Sequence, residues 1–172
     1  MNFSGELLNA EKYKRLGLKE LEQLYKNTIF PHVNNGIETT CELFESIRDE
    51  DKFRVDGAIA LSLIQEVHQL YNAHYINVTQ LLTFFTEKNV NRESAVSQLT
   101  IPELISDHHR IQDAFKTINR LSNQQANDFQ HTSLHRLAYA HINNISQDVA
   151  RVFFLEEEYL FPRLFPLLQR NE

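Results

Sequence analysis

Residues 142–164 read INNISQDVARVFFLEEEYLFPRL. Apolar side chains recur at Ala138, Ile142, Ile145, Val149, Val152 and Leu160, the spacing of an amphipathic helix with one buried stripe. Glu156 lies on that stripe, midway between Val152 and Leu160. A carboxylate on a core stripe needs a partner, because an unpaired buried charge costs on the order of several kcal/mol. A metal ion, a proton or a basic side chain would serve. Glu157 and Glu158 point elsewhere and read as solvated. Pro162 lacks a backbone donor and disfavours helix in the residue before it. The helix is therefore expected to stop there, with Glu156 near its C-terminal end.

Working outward, the chain has 172 residues, 42% of them hydrophobic and 23% charged. That is enough for one domain burying roughly 70% of its unfolded surface. Four Gly and four Pro leave few interruptions and favour long helices. A net charge of −6 argues against nucleic acid as the main partner. Cys41 is the single cysteine, which rules out an internal disulfide and a cysteine-based zinc site. The N-terminal stretch has no apolar core of signal-peptide length. No apolar run is long enough to span a membrane, so a cytoplasmic address is expected.

Residues 1–17 read as a polar arm, 18–168 as the folded body and 169–172 as a tail. Leu18–Thr28 is helical, with Leu21, Leu24 and Tyr25 on one side. Pro31 then starts or kinks the first long helix, which runs to about Asp49 with Thr39, Leu43 and Ile47 as its stripe. Asp56 suits an N-cap. The second long helix spans about 57–86 on a stripe of Ala60, Leu63, Val67, Tyr71, His74, Val78, Leu81 and Phe85. Thr100 and Glu103 form a capping box with Pro102 inside the first turn. The third helix follows, with Ile101, Leu104, His108, Ile111, Phe115 and Ile118 inward. It ends near Ser122. The fourth begins between Asp128 and Ser133. Four long amphipathic helices with short connections predict an all-α, antiparallel up-down four-helix bundle.

In that order, the start of the first helix, the end of the second, the start of the third and the end of the fourth share one end of the bundle. His32, His74, His108 and Glu156 fall on those segments. At about 1.5 Å per residue, His32 and His74 come out level. Glu156 overshoots His108, and His141 is nearer to level, so the fourth helix must overhang or follow a long loop. Imidazole nitrogen with carboxylate oxygen suits zinc, iron, copper or manganese, and bundles build metal sites from one ligand per helix.

The close of the fourth helix, LEEEYLFPRL, resembles the Glu-rich Leu-Phe-Pro ending of the hemerythrin-like (HHE cation-binding) family. DHHRIQDAF is similar to that family's Asp/Glu-His entry to its third helix. The nearest branch by this resemblance is the di-iron iron–sulfur-cluster repair proteins, and hemerythrin-like proteins in general imply iron and sensing of O2- or NO-type ligands. The resemblance implies His on the first helix, His-x-x-x-Glu on the second, His on the third and His-x-x-x-Glu on the fourth. His32, His74, His108 and Glu156 match those places. Val78 and Val152 stand where the second glutamate and the paired histidine belong. Mononuclear iron is then expected over dinuclear, in a metal-binding or diatomic-sensing protein. A repair enzyme would need redox-active iron.

Other readings stand beside this one. Each inward histidine taken alone is an ordinary core residue, and Glu156 could pair with a histidinium from His74 or His108. Valine at both vacated places suits a metal-free bundle serving as a protein-interaction module. His68 and His109 read as flank or surface residues, and His131, His135 and His141 as decoration of the fourth helix. Exposed aromatics leave a homodimer open.

Overall fold

The computed structural model describes residues 9–48, 56–87, 100–125 and 133–169; His131, the 88–99 connection, residues 1–8 of the arm and most of the 169–172 tail lie outside them. The described residues are helical and contain no strand. Helices α1 (Ala10–Arg15) and α2 (Leu18–Leu24) precede α3 (Phe30–Ile47), α4 (Asp56–Thr86), α5 (Ile101–Gln125), α6 (Ser133–Leu155) and α7 (Phe161–Gln169). Each of α3 and α5 packs against both α4 and α6, which closes a ring of four long helices, and α2 packs on α4. No described helix is long and apolar enough to cross a membrane.

The predicted stripes of α4, α5 and α6 are buried at Ala60, Val67, Tyr71, His74, Val78 and Leu81, at Leu104, His108, Ile111 and Ile118, and from Ala138 through Val152 to Leu160. The capping box forms: the Thr100 N–H donates to Glu103 at 2.9 Å and the Glu103 N–H to Thr100 at 3.4 Å.

Three expectations are corrected. The helix carrying Glu156 does not stop at Pro162. Residues Glu156–Leu160 form a π turn, in which the Phe161 N–H bonds back to the Glu156 carbonyl, and α7 continues from there. Proline needs no acceptor, so Pro162 sits without loss in the first turn after the wider one. The same device operates at Pro31: Tyr25–Ile29 is a second π turn, closed by Phe30 N–H to the Tyr25 carbonyl. It joins α2 to α3 as one kinked rod. The inward face of α3 also differs from the expected one. Its buried stripe is Val33, Ile37, Thr40, Phe44 and Ile47, not the expected Thr39 and Leu43. Thirdly, the N-terminal arm is not wholly peripheral. Asn9 caps α1, and Tyr13 is buried in the core with its hydroxyl 2.9 Å from that of Tyr25.

The α3–α6 contact is close. Gly36 faces Ile145, Thr40 meets His141 at 2.9 Å and Phe44 lies edge-on to Tyr139, so these two helices run in opposite directions. A Cβ at Gly36 would overlap the Ile145 side chain.

Candidate metal centre

His74 on α4, His108 on α5 and Glu156 at the head of the second π turn meet in the core, each at most 1% exposed. Glu156 Oε2 lies 2.9 Å from His74 Nε2 and 2.7 Å from His108 Nε2, and the two nitrogens are 3.3 Å apart. Three helices thus deliver one ligand atom each to a single small space, and the group could hold a metal ion. The triangle fits an ion in size. Bonds of about 2.0–2.1 Å at tetrahedral angles place donors about 3.3 Å apart, so outward movements of a few tenths of an ångström admit a cation. Two imidazoles and one carboxylate are also the donor set of three-ligand sites that keep positions open.

The surroundings orient these donors. His108 Nδ1 is 2.6 Å from Glu157 Oε1. A carboxylate on Nδ1 fixes that nitrogen as an N–H donor and aims Nε2 at the cluster, where it donates to Glu156 and, on losing that proton, would offer its lone pair to a metal, the usual support for a ligating histidine. Phe153 stacks on the His108 ring at 3.9 Å and meets His74 edge-on at 5.4 Å, while Phe161 lies nearly parallel to His108 at 5.6 Å. These rings keep water away and lock both imidazoles. His74 Nδ1 is buried without a hydrogen-bond partner; the nearest carboxylate oxygen, on Asp107, is 3.9 Å away.

Charge is balanced inside the cluster. Burial pushes the Glu156 carboxyl up, but the His74 charge and the hydrogen bonds from His108 and His74 outweigh it and hold it at about 2. Burial pulls His74 down, yet Glu156 and Asp107 bring it up to about 9. Burial and the Glu156 charge hold the Tyr25 and Tyr71 phenols well above their ordinary value. Tyr13, one hydrogen bond beyond Tyr25, is raised by the same two causes.

His32, expected as the ligand from the first helix, is not in this group. Its Nε2 lies 2.9 Å from Asp148 Oδ2, and it is half-buried. The inward stripe of α3 runs through Val33, one residue and about 100° on from His32, and continues back through Ile29 and Tyr25. Of the remaining histidines, His109 is exposed as expected. His68 bonds Asn34 at 2.9 Å and His141 bonds Thr40. His135, expected as decoration, is buried in α6. Glu157, expected to be solvated, keeps one oxygen on His108. The readable signal for both π turns was a repeated hydrophobic-Phe-Pro, Ile29-Phe30-Pro31 and Leu160-Phe161-Pro162.

Comparison with protein-family models, with curated proteins and with solved structures finds no match for this chain.

Proposed function

We propose that this protein binds one divalent transition-metal ion through His74 Nε2, His108 Nε2 and Glu156 Oε2, within a hemerythrin-like, antiparallel four-helix bundle. The carrying observation is the convergence of three fully buried donors, from three helices, at mutual distances of 2.7–3.3 Å. The Glu157 bond to His108 is a second support. Iron is the ion that the hemerythrin-like resemblance implies. Held by three protein donors, it supplies open positions at which a small diatomic ligand can be sensed. The residues do the rest: His74 gives up its proton to bind, Glu156 contributes the neutralising charge, and Phe153 and Phe161 exclude water. Val78 and Val152, both buried, stand where the resemblance implies a second ion's ligands, which supports one ion over two.

The test is metal content after anaerobic purification, read by plasma emission, together with a cobalt titration followed by its visible d–d absorption. A near-stoichiometric ion that falls away in His108→Ala and in Glu156→Ala is the expected result. Less than a tenth of an equivalent, with no cobalt spectrum, overturns the reading. The second reading, a metal-free interaction module, draws on a specific observation too: Glu156 is held by hydrogen bonds and charge from His74 and His108 without an ion. It predicts a melting temperature indifferent to chelator, whereas a bound ion stabilises the native state by mass action.

A further inference from the structure

The two imidazoles of the cluster are supported unequally. His108 Nδ1 meets Glu157 Oε1 at 2.6 Å, whereas His74 Nδ1 is buried with no hydrogen-bond partner. A carboxylate nonetheless stands near it. Asp107 precedes His108 on α5, and its Oδ2 is 3.9 Å from His74 Nδ1. Its Oδ1 is 3.9 Å from Arg110 Nη1, on the outside of the same helix. Both gaps exceed hydrogen-bond length. Asp107, with a side chain 22% exposed, thus lies between an inner and an outer cationic partner and is hydrogen-bonded to neither.

We infer that Asp107 is the positioning residue for His74: when an ion is held at His74 Nε2, the Asp107 carboxylate turns from Arg110 and closes on Nδ1. The inference rests on the metal reading above. Coordination through Nε2 leaves the imidazole proton on Nδ1. That N–H lies in the core, where a donor without an acceptor costs about 1–3 kcal/mol. Asp107 carries the nearest carboxylate oxygen, and a shortening of about 1 Å brings it to hydrogen-bond length. The movement is local. His108, the next residue, is held by Glu156 and Glu157, while Asp107 is free to rotate its own side chain at the edge of the core. Ligating histidines hand their second N–H to a carboxylate or carbonyl, and loss of that partner weakens metal binding about 10–100-fold. Glu157 stands in this place for His108. Asp107 completes the pair for His74, so each of the two imidazoles gains its own outer carboxylate.

The experiment loads the full chain, isotope-labelled at histidine, with equimolar zinc and reads the imidazole N–H protons by NMR. A protected Nδ1–H signal is expected from each of His74 and His108, the latter identified by its loss in Glu157→Ala. Asp107→Ala should lose the His74 signal to solvent exchange and keep that of His108. It should also release zinc to excess chelator at least about tenfold faster, the lower end of the range for such partners. The release rate is the right quantity because proton competition, which Asp107 also strengthens, governs the return of zinc and not its departure. Asp107→Asn keeps an acceptor oxygen and should restore the signal, with release between the two. Arg110→Ala removes only the outer partner and should keep both signals. A wild-type protein in which the His74 N–H is unprotected overturns the inference, whether or not Asp107→Ala folds. So does an Asp107→Ala variant with wild-type signals and release, or loss of the His74 signal in Arg110→Ala, which would show that the outer pairing holds the carboxylate. In each of these cases bound zinc still upholds the metal reading. Failure of the wild-type protein to bind zinc removes that reading, and the inference with it.

Discussion

Replacing Glu156 by Gln should be among the most damaging single substitutions available to this protein. The change keeps the volume and removes only the charge. In chelator-treated protein at pH 7, the Glu156 carboxyl is held at about 2 against an ordinary 4.5. That difference corresponds to about 3 kcal/mol at about 1.4 kcal/mol per unit. Full burial leaves little solvent to screen it. The raised His74 is the same attraction counted from its other end and is not added. An independent scale agrees, since removing one partner of a buried ion pair costs about 3–5 kcal/mol. For a chain of this size, about 3 kcal/mol lowers the melting temperature by roughly 6–12 °C. The assay is urea unfolding with chelator present, fitted for midpoint and slope. A control replaces all three groups by hydrocarbon, Glu156→Met with His74→Leu and His108→Leu. It should recover to within about 1 kcal/mol of wild type, because the buried charges then need no partners. A loss below about 1 kcal/mol in Glu156→Gln, at unchanged slope, would refute the reasoning: it would mean the cluster is wet or its groups do not depend on one another.

Three further outcomes are expected. Val78→Glu combined with Val152→His should raise bound iron from about one toward two per chain, by plasma emission, if the backbone is that of the di-iron family; unchanged iron would detach the α4 and α6 positions from that pattern. Glu22 is buried, takes hydrogen bonds from Thr83 at 2.7 Å and Thr86 at 2.6 Å, and pairs with Lys26; although burial raises its carboxyl, those bonds hold it at about 2. Its stabilisation is therefore present above the unfolded value of about 4.5 and lost as pH falls toward 2. Glu22→Gln should cost about 2 kcal/mol at pH 7, discounted for the half-exposed Lys26, and nothing near pH 2; a pH-independent difference would contradict this. Gly36→Ala should lose about 1–2 kcal/mol by overpacking against Ile145, even after the helix-propensity gain. Adding Ile145→Val should return most of it, and failure to do so would place the strain elsewhere.

The sequence announced burial well and phase poorly. Period alone placed His74, His108 and Glu156 inward, because α4, α5 and α6 keep an unbroken α register from their starts to those residues. It could not place His32, because α3 offers two neighbouring stripes, one through Thr39 and Leu43 and one through Thr40 and Phe44, and only the packing against α6 selects the second, which runs through Val33. Reading Pro162 as a stop failed for a different reason: a proline is compatible with a continuing helix once the turn before it widens. The level mismatch between His108 and Glu156 was real. His108 is 17 residues from the described end of α5, while Glu156 is 23 residues from the start of α6, so the fourth rod does overhang. Side-chain partners were least legible. Period separates Glu156 from the other two carboxylates of EEE, but nothing in the sequence shows that Glu157 grips His108 Nδ1 from outside, because only the neighbouring helix decides which flanking position it meets.

The two π turns belong to one argument about the centre. π turns are rare, well under 1% of residues in folded proteins, and they concentrate at functional sites. Here one begins at Tyr25 and the other at Glu156, and the Tyr25 phenol is held up by the Glu156 charge. Each is followed by Phe-Pro, where the proline has no N–H to lose, so the wider turn forfeits one hydrogen bond fewer than it would elsewhere. A regular helix through Glu156 would have carried Phe161 about 100° further round the rod for each residue saved, away from the His108 ring it now covers at 5.6 Å. Glu156 stands on the core stripe by the unbroken register of α6, and widening the turn after it lets Phe161 close over the imidazole. It also leaves Glu157 on the outer side of His108, 2.6 Å from Nδ1. The residue that breaks the apolar stripe thus heads the segment that breaks the α register, and the wider turn brings the aromatic cover over the histidine that the buried acid holds.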